Sequence, residues 1–310
     1  MENINSKEII ESINKYEKKC WAMKSYAAYR WGEDLPCPYR FVINIYKSCS
    51  FRCRYCYVWN NKEPSIKENL LEALEKDIKR ANNLNLKLPV FISSSTDPFQ
   101  NLEEKYKNTK QVIEKLLENN FPIVIMTKNP KMLLKKSYIK LTKNNLLHID
   151  VTIASITEDN PSSIFWNNGL SIKEKLNAIE KLIKLGKDVR VKIDPIIPSV
   201  NGIKGQTKED LWGLVKLLKE IGVKKIISKT LKINKDVPPF LYTKLIDYYK
   251  ENGEYKGINY CLSKEIRRKL LQPLYEACIN YGIEFCPCVE LDVFSKEDKI
   301  SNCLIDYENK

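Results

Sequence analysis

Short apolar segments alternate with amphipathic segments through the middle of this chain, and this alternation constrains the fold more than any other feature. Six segments rich in valine and isoleucine predict β-strands, and the segments between them carry apolar residues at helical spacing. Such an alternation predicts a parallel sheet with helices packed against it. The predicted strands are 41–46, 89–93, 122–127, 147–153, 188–193 and 224–228, and the predicted helices are 67–83, 103–119, 130–143, 171–185 and 207–221.

The helix ends support this assignment. Thr207 and Asp210 have the spacing of a capping box, and Gly186 and Gly222 stand where two helices should end. Six strand–helix units predict an α/β fold, a partial (β/α)6 TIM-type barrel. The predicted regions are an N-terminal helical extension (1–37, with a helix near 6–31), the partial-barrel core (38–232) and a cysteine-rich C-terminal extension (233–310, irregular from about 235 and with a helix near 263–281).

Three cysteines, Cys49, Cys53 and Cys56, follow the first predicted strand. Functional groups in parallel α/β folds gather at the carboxyl ends of the strands, so this loop is a candidate site. Three thiolates in so short a loop can bind a 4Fe–4S cluster and leave one iron open for a further ligand. The alternatives are a zinc site or a fully ligated electron-transfer cluster with Cys37 as the fourth ligand.

Histidine is nearly absent from the chain, and this weakens two classes of site. The only histidine, His148, lies in the apolar run 146–153 and is interpreted as a core or strand-end residue. Zinc sites usually pair Cys-x2-Cys units or use histidine, so the zinc alternative is less favoured. Catalysis by a Ser–His or Cys–His pair is poorly supported for the same reason.

Composition bears on location and partners. The chain has no run of eighteen apolar residues and begins with polar residues, so we expect a cytoplasmic protein without a membrane span and with reduced thiols. The net charge is +13, from 44 lysines and 8 arginines against 39 acidic residues. This charge is compatible with a nucleic-acid or other anionic substrate, and equally with a solvated basic surface.

Polar strings follow the second, third and fifth predicted strands, at 93–100, 126–130 and 191–198. They contain Thr-Asp-Pro-Phe, Thr-Lys and Asp-Pro-Ile-Ile-Pro. In their order and spacing after the cysteine motif, they resemble the spore photoproduct lyase family of the radical S-adenosylmethionine (radical SAM) superfamily. The resemblance covers about residues 38–230.

The resemblance implies an enzyme whose three motif cysteines hold a 4Fe–4S cluster, with S-adenosylmethionine (SAM) chelated to the open iron. It implies reductive cleavage of SAM to a 5′-deoxyadenosyl radical, which takes hydrogen from a nucleic acid, a peptide or a small molecule. An electron donor such as flavodoxin or ferredoxin would be required. Tyr55 and Tyr57 match the tyrosines that flank the last cluster cysteine, where they imply a catalytic radical relay. The alternative is an iron–sulfur electron-transfer or zinc-stabilised binding module without catalysis.

The strand ends also offer the groups that SAM needs, since SAM presents an ammonium, a carboxylate, ribose hydroxyls and an adenine ring. Asp97 could instead be a turn residue before Pro98, and Lys128 a solvated lysine. The predicted contacts are Ser94, Ser95, Thr96 and Asp97 for the amino group, Lys128 for the carboxylate, Ser155 for the ribose, and Tyr55, Tyr57 and Ile196 for adenine.

The chain departs from the family in one respect. In the DNA-repair member a hydrogen-donor cysteine lies just before the Thr/Ser–Asp element, whereas this chain has serines at 93–95 and no cysteine between Cys56 and Cys261. We therefore do not expect photoproduct repair by that relay.

Half of the ten cysteines lie between residues 261 and 303. Their concentration predicts an auxiliary iron–sulfur cluster or a zinc site. The alternatives are small buried packing residues or a catalytic thiol. The predicted ligands are Cys286, Cys288 and Cys303, together with Cys278 or Cys261.

Overall fold

The fold is built on a central eight-stranded sheet. The computed structural model describes residues 6–26, 39–59 and 62–302. The strands are β1 (Lys24–Tyr26), β2 (Arg40–Ile43), β3 (Tyr46–Lys47), β4 (Ser65–Ile66), β5 (Val90–Ile92), β6 (Ile123–Thr127), β7 (Leu147–Thr152), β8 (Val189–Ile196), β9 (Lys225–Thr230), β10 (Gly253–Lys256), β11 (Asn259–Leu262) and β12 (Glu284–Pro287). The helices are α1 (Ser6–Glu17), α2 (Leu70–Asn83), α3 (Leu102–Tyr106), α4 (Asn108–Glu118), α5 (Ile139–Thr142), α6 (Ile172–Lys184), α7 (Lys208–Glu220), α8 (Pro239–Asn252) and α9 (Lys264–Tyr281).

The strand order in the sheet is β1-β2-β5-β6-β7-β8-β9-β12. The seven strands that follow β1 in this order run parallel to one another, and β1 is antiparallel to β2. Across residues 6–26, 39–59 and 62–302 the two end strands do not pair with each other, so the sheet is an open, partial barrel. The predicted fold class is confirmed, and β12 adds a seventh parallel strand. In the same ranges, no helix has the length and hydropathy needed to cross a bilayer.

The predicted strands and helices of the core are present, with two changes in the helices. The helix expected at 103–119 is divided into α3 and α4 at Lys107, which has a φ of 52°. A second helix begins there because the buried Glu103 carboxylate accepts hydrogen bonds from the backbone N–H groups of Thr109 and Lys110. The helix expected at 130–143 is a 3-10 segment, Pro130–Leu134, followed by the short α5.

The helix expected near 6–31 was too long. Helix α1 ends at Glu17, and the chain returns as strand β1. The reason is the buried Asp77 on α2, whose carboxylate accepts N–H groups from Trp21, Ala22 and Met23 and fixes a turn there. Residues 27–38, with Cys37, lie outside the described ranges.

The stretch after residue 235 is more regular than expected. It forms α8, the β10–β11 hairpin, α9 and β12. Leu241, Leu245 and Tyr249 are buried along one side of α8, a helical spacing that the sequence already carries. Because β12 pairs with β9, this extension completes the sheet rather than standing apart from it.

The two faces of the sheet differ in composition. On the face we call the helix face, strand residues are apolar and pack with the helices in the main core. The opposite face, called the polar face, carries most of the sheet's charged side chains. The helix face includes Ile43, Ile92, Ile125, Ile149, Val151, Val191, Ile226 and Phe285. The polar face includes His148, Asp150, Thr152, Arg190, Lys192, Asp194, Lys225, Lys229, Glu284 and Cys286.

Candidate active site

The cysteine loop lies beyond the carboxyl end of β2, where the sequence places it. All three thiols are partly buried and reduced. Two non-glycine residues, Ser48 and Arg52, have left-handed φ values of 58° and 50° and wind the chain tightly around the first two cysteines. The N–H of Cys56 donates to the carbonyl of Cys53 at 3.1 Å, which closes the turn that presents Cys56.

One side chain outside the loop fixes its shape. The amide of Gln100 accepts a hydrogen bond from the N–H of Ser50 at 3.0 Å and donates to the carbonyl of Ser48 at 3.1 Å. Gln100 is fully buried. Sequence reasoning gave it no role, although an amide that can donate and accept at once is suited to holding a loop.

The chemistry of the loop fits a cluster. Burial raises the pKa of Cys49 to about 12 and that of Cys53 to about 11, so metal binding must displace their protons. In the part of the chain that the structure describes, no three His, Cys, Asp or Glu side chains are arranged to bind one metal ion. A 4Fe–4S cluster does not require such convergence, because each thiolate binds a different iron.

Asp97 follows β5 and holds two strand ends together. Its carboxylate accepts hydrogen bonds from the N–H of Phe99 at 2.9 Å, the hydroxyl of Thr127 at 2.8 Å and the N–H of Lys128 at 2.6 Å. Burial raises its pKa above the ordinary value. Asp97 therefore links the ends of β5 and β6, and most of the hydrogen bonds that its carboxylate can accept are already made within the protein.

Lys128, directly after β6, is buried rather than solvated. Its ammonium group donates to the hydroxyl of Tyr55 at 2.6 Å and lies 3.4 Å from a carboxylate oxygen of Glu158. The other carboxylate oxygen of Glu158 pairs with Lys175, which projects from α6 and is fully buried. Lys128 and Lys175 thus share the carboxylate of Glu158, and this group lies beside Tyr55 of the cysteine loop. The sequence analysis assigned no role to Glu158 or Lys175.

This buried group holds two lysines and one glutamate, and burial lowers the pKa of Lys175. Burial alone would raise the pKa of Glu158, but the ammonium groups of Lys128 and Lys175 hold it below its usual range. Burial alone would lower the pKa of Lys128, but Glu158, Cys53 and Asp97 raise it. Cys53 lies within the field of Lys128, whose ammonium group favours an anion at this end of the sheet.

Comparison with known proteins decides the family. A family profile described as the radical SAM superfamily matches residues 43–233. The chain belongs to the radical SAM superfamily.

Individual relatives are more distant. A protein of Methanocaldococcus jannaschii is 28% identical over 182 residues, which cover 54% of this chain and 66% of that protein. A radical SAM Nα-GlyT isomerase of Pseudomonas phage M6 is 21% identical, covering 64% of this chain and 40% of the isomerase. The chain matches less than two thirds of the length of these relatives.

Solved structures support the radical SAM fold. A spore photoproduct lyase variant has a TM-score of 0.63 at 16% identity, with 82% of this chain and 77% of that chain covered. SuiB of Streptococcus suis bound to S-adenosylmethionine has a TM-score of 0.56 at 13% identity, with 82% and 52% covered.

Two buried hydroxyl groups near the cysteine loop bear on whether the site suits a polar ligand. The side-chain oxygens of Ser50 and Thr96 are buried and have no hydrogen-bond partner. A buried hydroxyl without a partner costs stability unless a ligand or water satisfies it. Thr96 stands among the predicted SAM contacts, so its orphaned hydroxyl fits that assignment.

The remaining predicted SAM contacts have different surroundings. The exposed Tyr57 donates its hydroxyl to the carbonyl of Ser94 at 2.8 Å and lies 3.4 Å from the hydroxyl of Ser95. The cysteine loop therefore touches the end of β5. Ser155 is buried, and its hydroxyl accepts the N–H of Thr157 at 3.1 Å in a local turn.

The two isoleucines that follow Pro195 pack in different apolar clusters. Ile196 packs in the main core. Its neighbour Ile197 belongs instead to the apolar cluster that contains Tyr55 and Phe165. Ile197 therefore packs beside Tyr55, and the adenine contact predicted for Ile196 stays a prediction.

The C-terminal cysteines are dispersed. Cys286 is buried on β12, and the N–H of Cys288, just after that strand, donates to the carbonyl of Ser228 at 2.7 Å. Cys278 is fully buried in α9, where burial raises its pKa. Cys261 is buried in β11. Cys303 lies outside the described residues, and the second metal site stays a prediction.

Proposed function

We propose that this chain binds a 4Fe–4S cluster through Cys49, Cys53 and Cys56 and reductively cleaves SAM. The observation that carries the proposal is a hydrogen-bonded loop of three partly buried thiols beside the buried cation of Lys128. When bound, the cluster supplies the electron that splits SAM into methionine and a 5′-deoxyadenosyl radical, which takes hydrogen from a substrate.

The protein's own residues bind and orient SAM in this proposal. Lys128 has the charge to pair with the SAM carboxylate, and its Glu158 partner holds it in position. Thr96 has a hydroxyl free to bind the amino group. Burial raises the pKa of Tyr55, so its hydroxyl keeps a proton while it accepts from Lys128.

We propose a lyase or modifying enzyme related to the spore photoproduct lyases, on the strand-end strings and the fold likeness. The missing donor cysteine argues against the same repair reaction. A net charge of +13 would attract a nucleic-acid substrate and also an acidic electron donor such as flavodoxin or ferredoxin. SuiB, which has also been solved bound to its precursor peptide SuiA, keeps a peptide substrate open. The cytoplasmic location expected from the sequence stays a prediction.

The test is anaerobic reconstitution followed by assays for iron, sulfide and 5′-deoxyadenosine. With dithionite as reductant we expect 5′-deoxyadenosine from the native chain and none from Cys53→Ala. Cys20→Ala, which removes a cysteine outside the motif, is the matched control and should behave as the native chain. A native protein with a reduced cluster and no cleavage of SAM would favour the electron-transfer module instead.

The same assay addresses the C-terminal cysteines. About four irons per chain indicate one cluster and about eight indicate two, since each cube holds four. If Cys286 and Cys288 hold metal, replacing both with alanine lowers the iron or zinc content and leaves the first cluster's signal unchanged. Unchanged metal content would leave packing or thiol chemistry as their role.

The role of Lys128 can be tested separately. Loss of a charge-assisted hydrogen bond to a ligand costs about 1.5–3 kcal/mol, so Lys128→Met should weaken SAM binding by about tenfold or more. Lys131→Met is the control, because Lys131 is exposed and paired with Glu174. Equal SAM affinity in both folded variants would remove Lys128 from the site.

A further inference from the structure

A second group of charges lies on the polar face, at the carboxyl ends of β8 and β9. The ammonium nitrogens of Lys192 and Lys229 lie 3.5 Å and 3.8 Å from the same carboxylate oxygen of Asp194. The side chains of Lys192 and Asp194 are 14% and 11% exposed, and that of Lys229 is 33% exposed. None of the three belongs to the contacts described above for SAM.

The binding capacity of the two lysines is not used up. Both distances exceed the 2.7–3.2 Å or so of a well-formed N–H···O hydrogen bond, and each ammonium has three donors. Asp194 raises the pKa of Lys229, and it also raises that of Lys192, although burial alone would lower the latter. Both lysines are therefore charged at neutral pH, and the group carries one surplus positive charge.

Neighbouring carboxylates do not neutralise this surplus. Asp150, on the adjacent strand β7, is paired with Arg190 at 2.7 Å. Glu290, near Lys229, accepts both the N–H and the hydroxyl of Thr230. Among the described residues these acids are held by other donors, and Glu290 also faces Arg267 at 3.9 Å. The surplus positive charge therefore lies at Lys192 and Lys229.

The group lies beside the cysteine loop. The ammonium nitrogen of Lys229 is 5.9 Å from the ring centre of Tyr57, which directly follows Cys56. The strand order places β6, with Lys128, two strands away from β8, on the other side of β7. A single SAM carboxylate placed at Lys128 would leave the second cationic group for a different anion.

We propose that Lys192 and Lys229, oriented by Asp194, bind an anionic oxygen group of the substrate, a phosphate or a carboxylate. The assignment of this anion to the substrate rests on the proposed function. The anion binding itself does not, because it requires only the two ammonium groups. The site would hold the substrate's anionic end beside Tyr57 and leave the rest of the substrate facing the SAM site.

The test measures binding of two probes, inorganic phosphate and acetate, to the reconstituted protein by isothermal titration at constant chloride concentration. We expect saturable binding of at least one probe, and the preferred probe identifies the group. Lys192→Met combined with Lys229→Met should weaken that binding by at least about tenfold, while SAM affinity stays within about twofold. Asp194→Asn should strengthen it, because it removes the competing negative charge.

Lys225→Met is the matched control. Lys225 lies on the same face of β9, nearer the start of the strand, and pairs with Glu284 at 3.0 Å. Its replacement should leave probe binding unchanged. Failure of the native protein to bind either probe, an equal loss in the control, or loss of SAM binding in the double variant would each overturn the anion site. Probe binding that depends on the lysine pair, in a protein that never cleaves SAM, would uphold the anion site and reject the proposed function.

Discussion

The two faces of the central sheet follow from the same strands and have opposite chemistry. On β8 the residues from Val189 to Asp194 alternate between apolar side chains on the helix face and charged ones on the polar face. The helix face stabilises the fold by removing apolar area from water. The polar face places charges near the candidate site, where their desolvation costs stability. The comparison separates the apolar residues of the helix face, which stabilise the fold, from charged residues of the polar face such as Lys192 and Lys229, which we assign to binding.

The largest expected effect comes from the buried charges of Lys128, Glu158 and Lys175. Glu158→Gln leaves Lys128 and Lys175 without a counter-charge, which typically costs about 3–5 kcal/mol of unfolding free energy. Urea denaturation measures the loss. Glu180→Gln on α6 is the control, because it breaks an exposed ion pair with Lys184 and should cost less than about 1 kcal/mol. Similar losses in both variants would show that the buried charges are not coupled as described.

A cavity on the helix face should affect only stability. Ile149 is fully buried in β7, so Ile149→Ala should cost about 3 kcal/mol through lost burial and an unfilled cavity. The iron content and the SAM affinity of the folded variant should equal those of the native chain. A reduced SAM affinity would mean that the two faces are not independent.

The smallest effect concerns pH and the polar face. Burial, with the nearby cations of Arg190 and Lys187, lowers the pKa of His148 to about 4 from a value near 6.5 in the unfolded chain. Protonation therefore favours unfolding, so the contribution is fully present above about pH 6.5 and is lost as the pH falls toward 4. We expect a loss of about 1–2 kcal/mol after allowing for solvent screening at this partly exposed group.

His148→Gln provides the comparison for this pH effect. Its unfolding free energy, measured by denaturant titration, should change less than that of the native chain between pH 6.5 and 4.5. Parallel pH profiles for the two proteins would contradict the assignment of the neutral form to His148.

The sequence was sufficient for the core of the fold because its signals are local. Short apolar segments rich in valine and isoleucine predicted all six core strands, and the capping box at Thr207 is present in the structure. The limits of α1 could not be predicted, because they depend on Asp77, more than fifty residues away in sequence. The seventh parallel strand, β12, was missed for a similar reason, since its four residues carry little signal apart from their pairing with β9.

The candidate site was predictable where a motif named its residues. The positions of the motif cysteines, Tyr55 and Lys128 followed from the resemblance, and the structure brings Tyr55 and Lys128 into contact. Glu158 and Lys175 were missed, because a buried lysine on a helix looks like any surface lysine in a chain with 44 of them. Their role depends on tertiary packing that no local pattern encodes.

The two hydrogen bonds between Gln100 and the cysteine loop bear on how the cluster site could be restored after metal loss. Because both hydrogen bonds come from protein to protein, the loop's shape is set by the fold and not by the metal. If oxygen destroys the cluster and the iron is lost, we expect the cysteine loop to keep the shape that binds a cluster. Iron and sulfide could rebuild the cluster in such a chain without unfolding, so loss of the cluster would be reversible while the three thiols stay reduced.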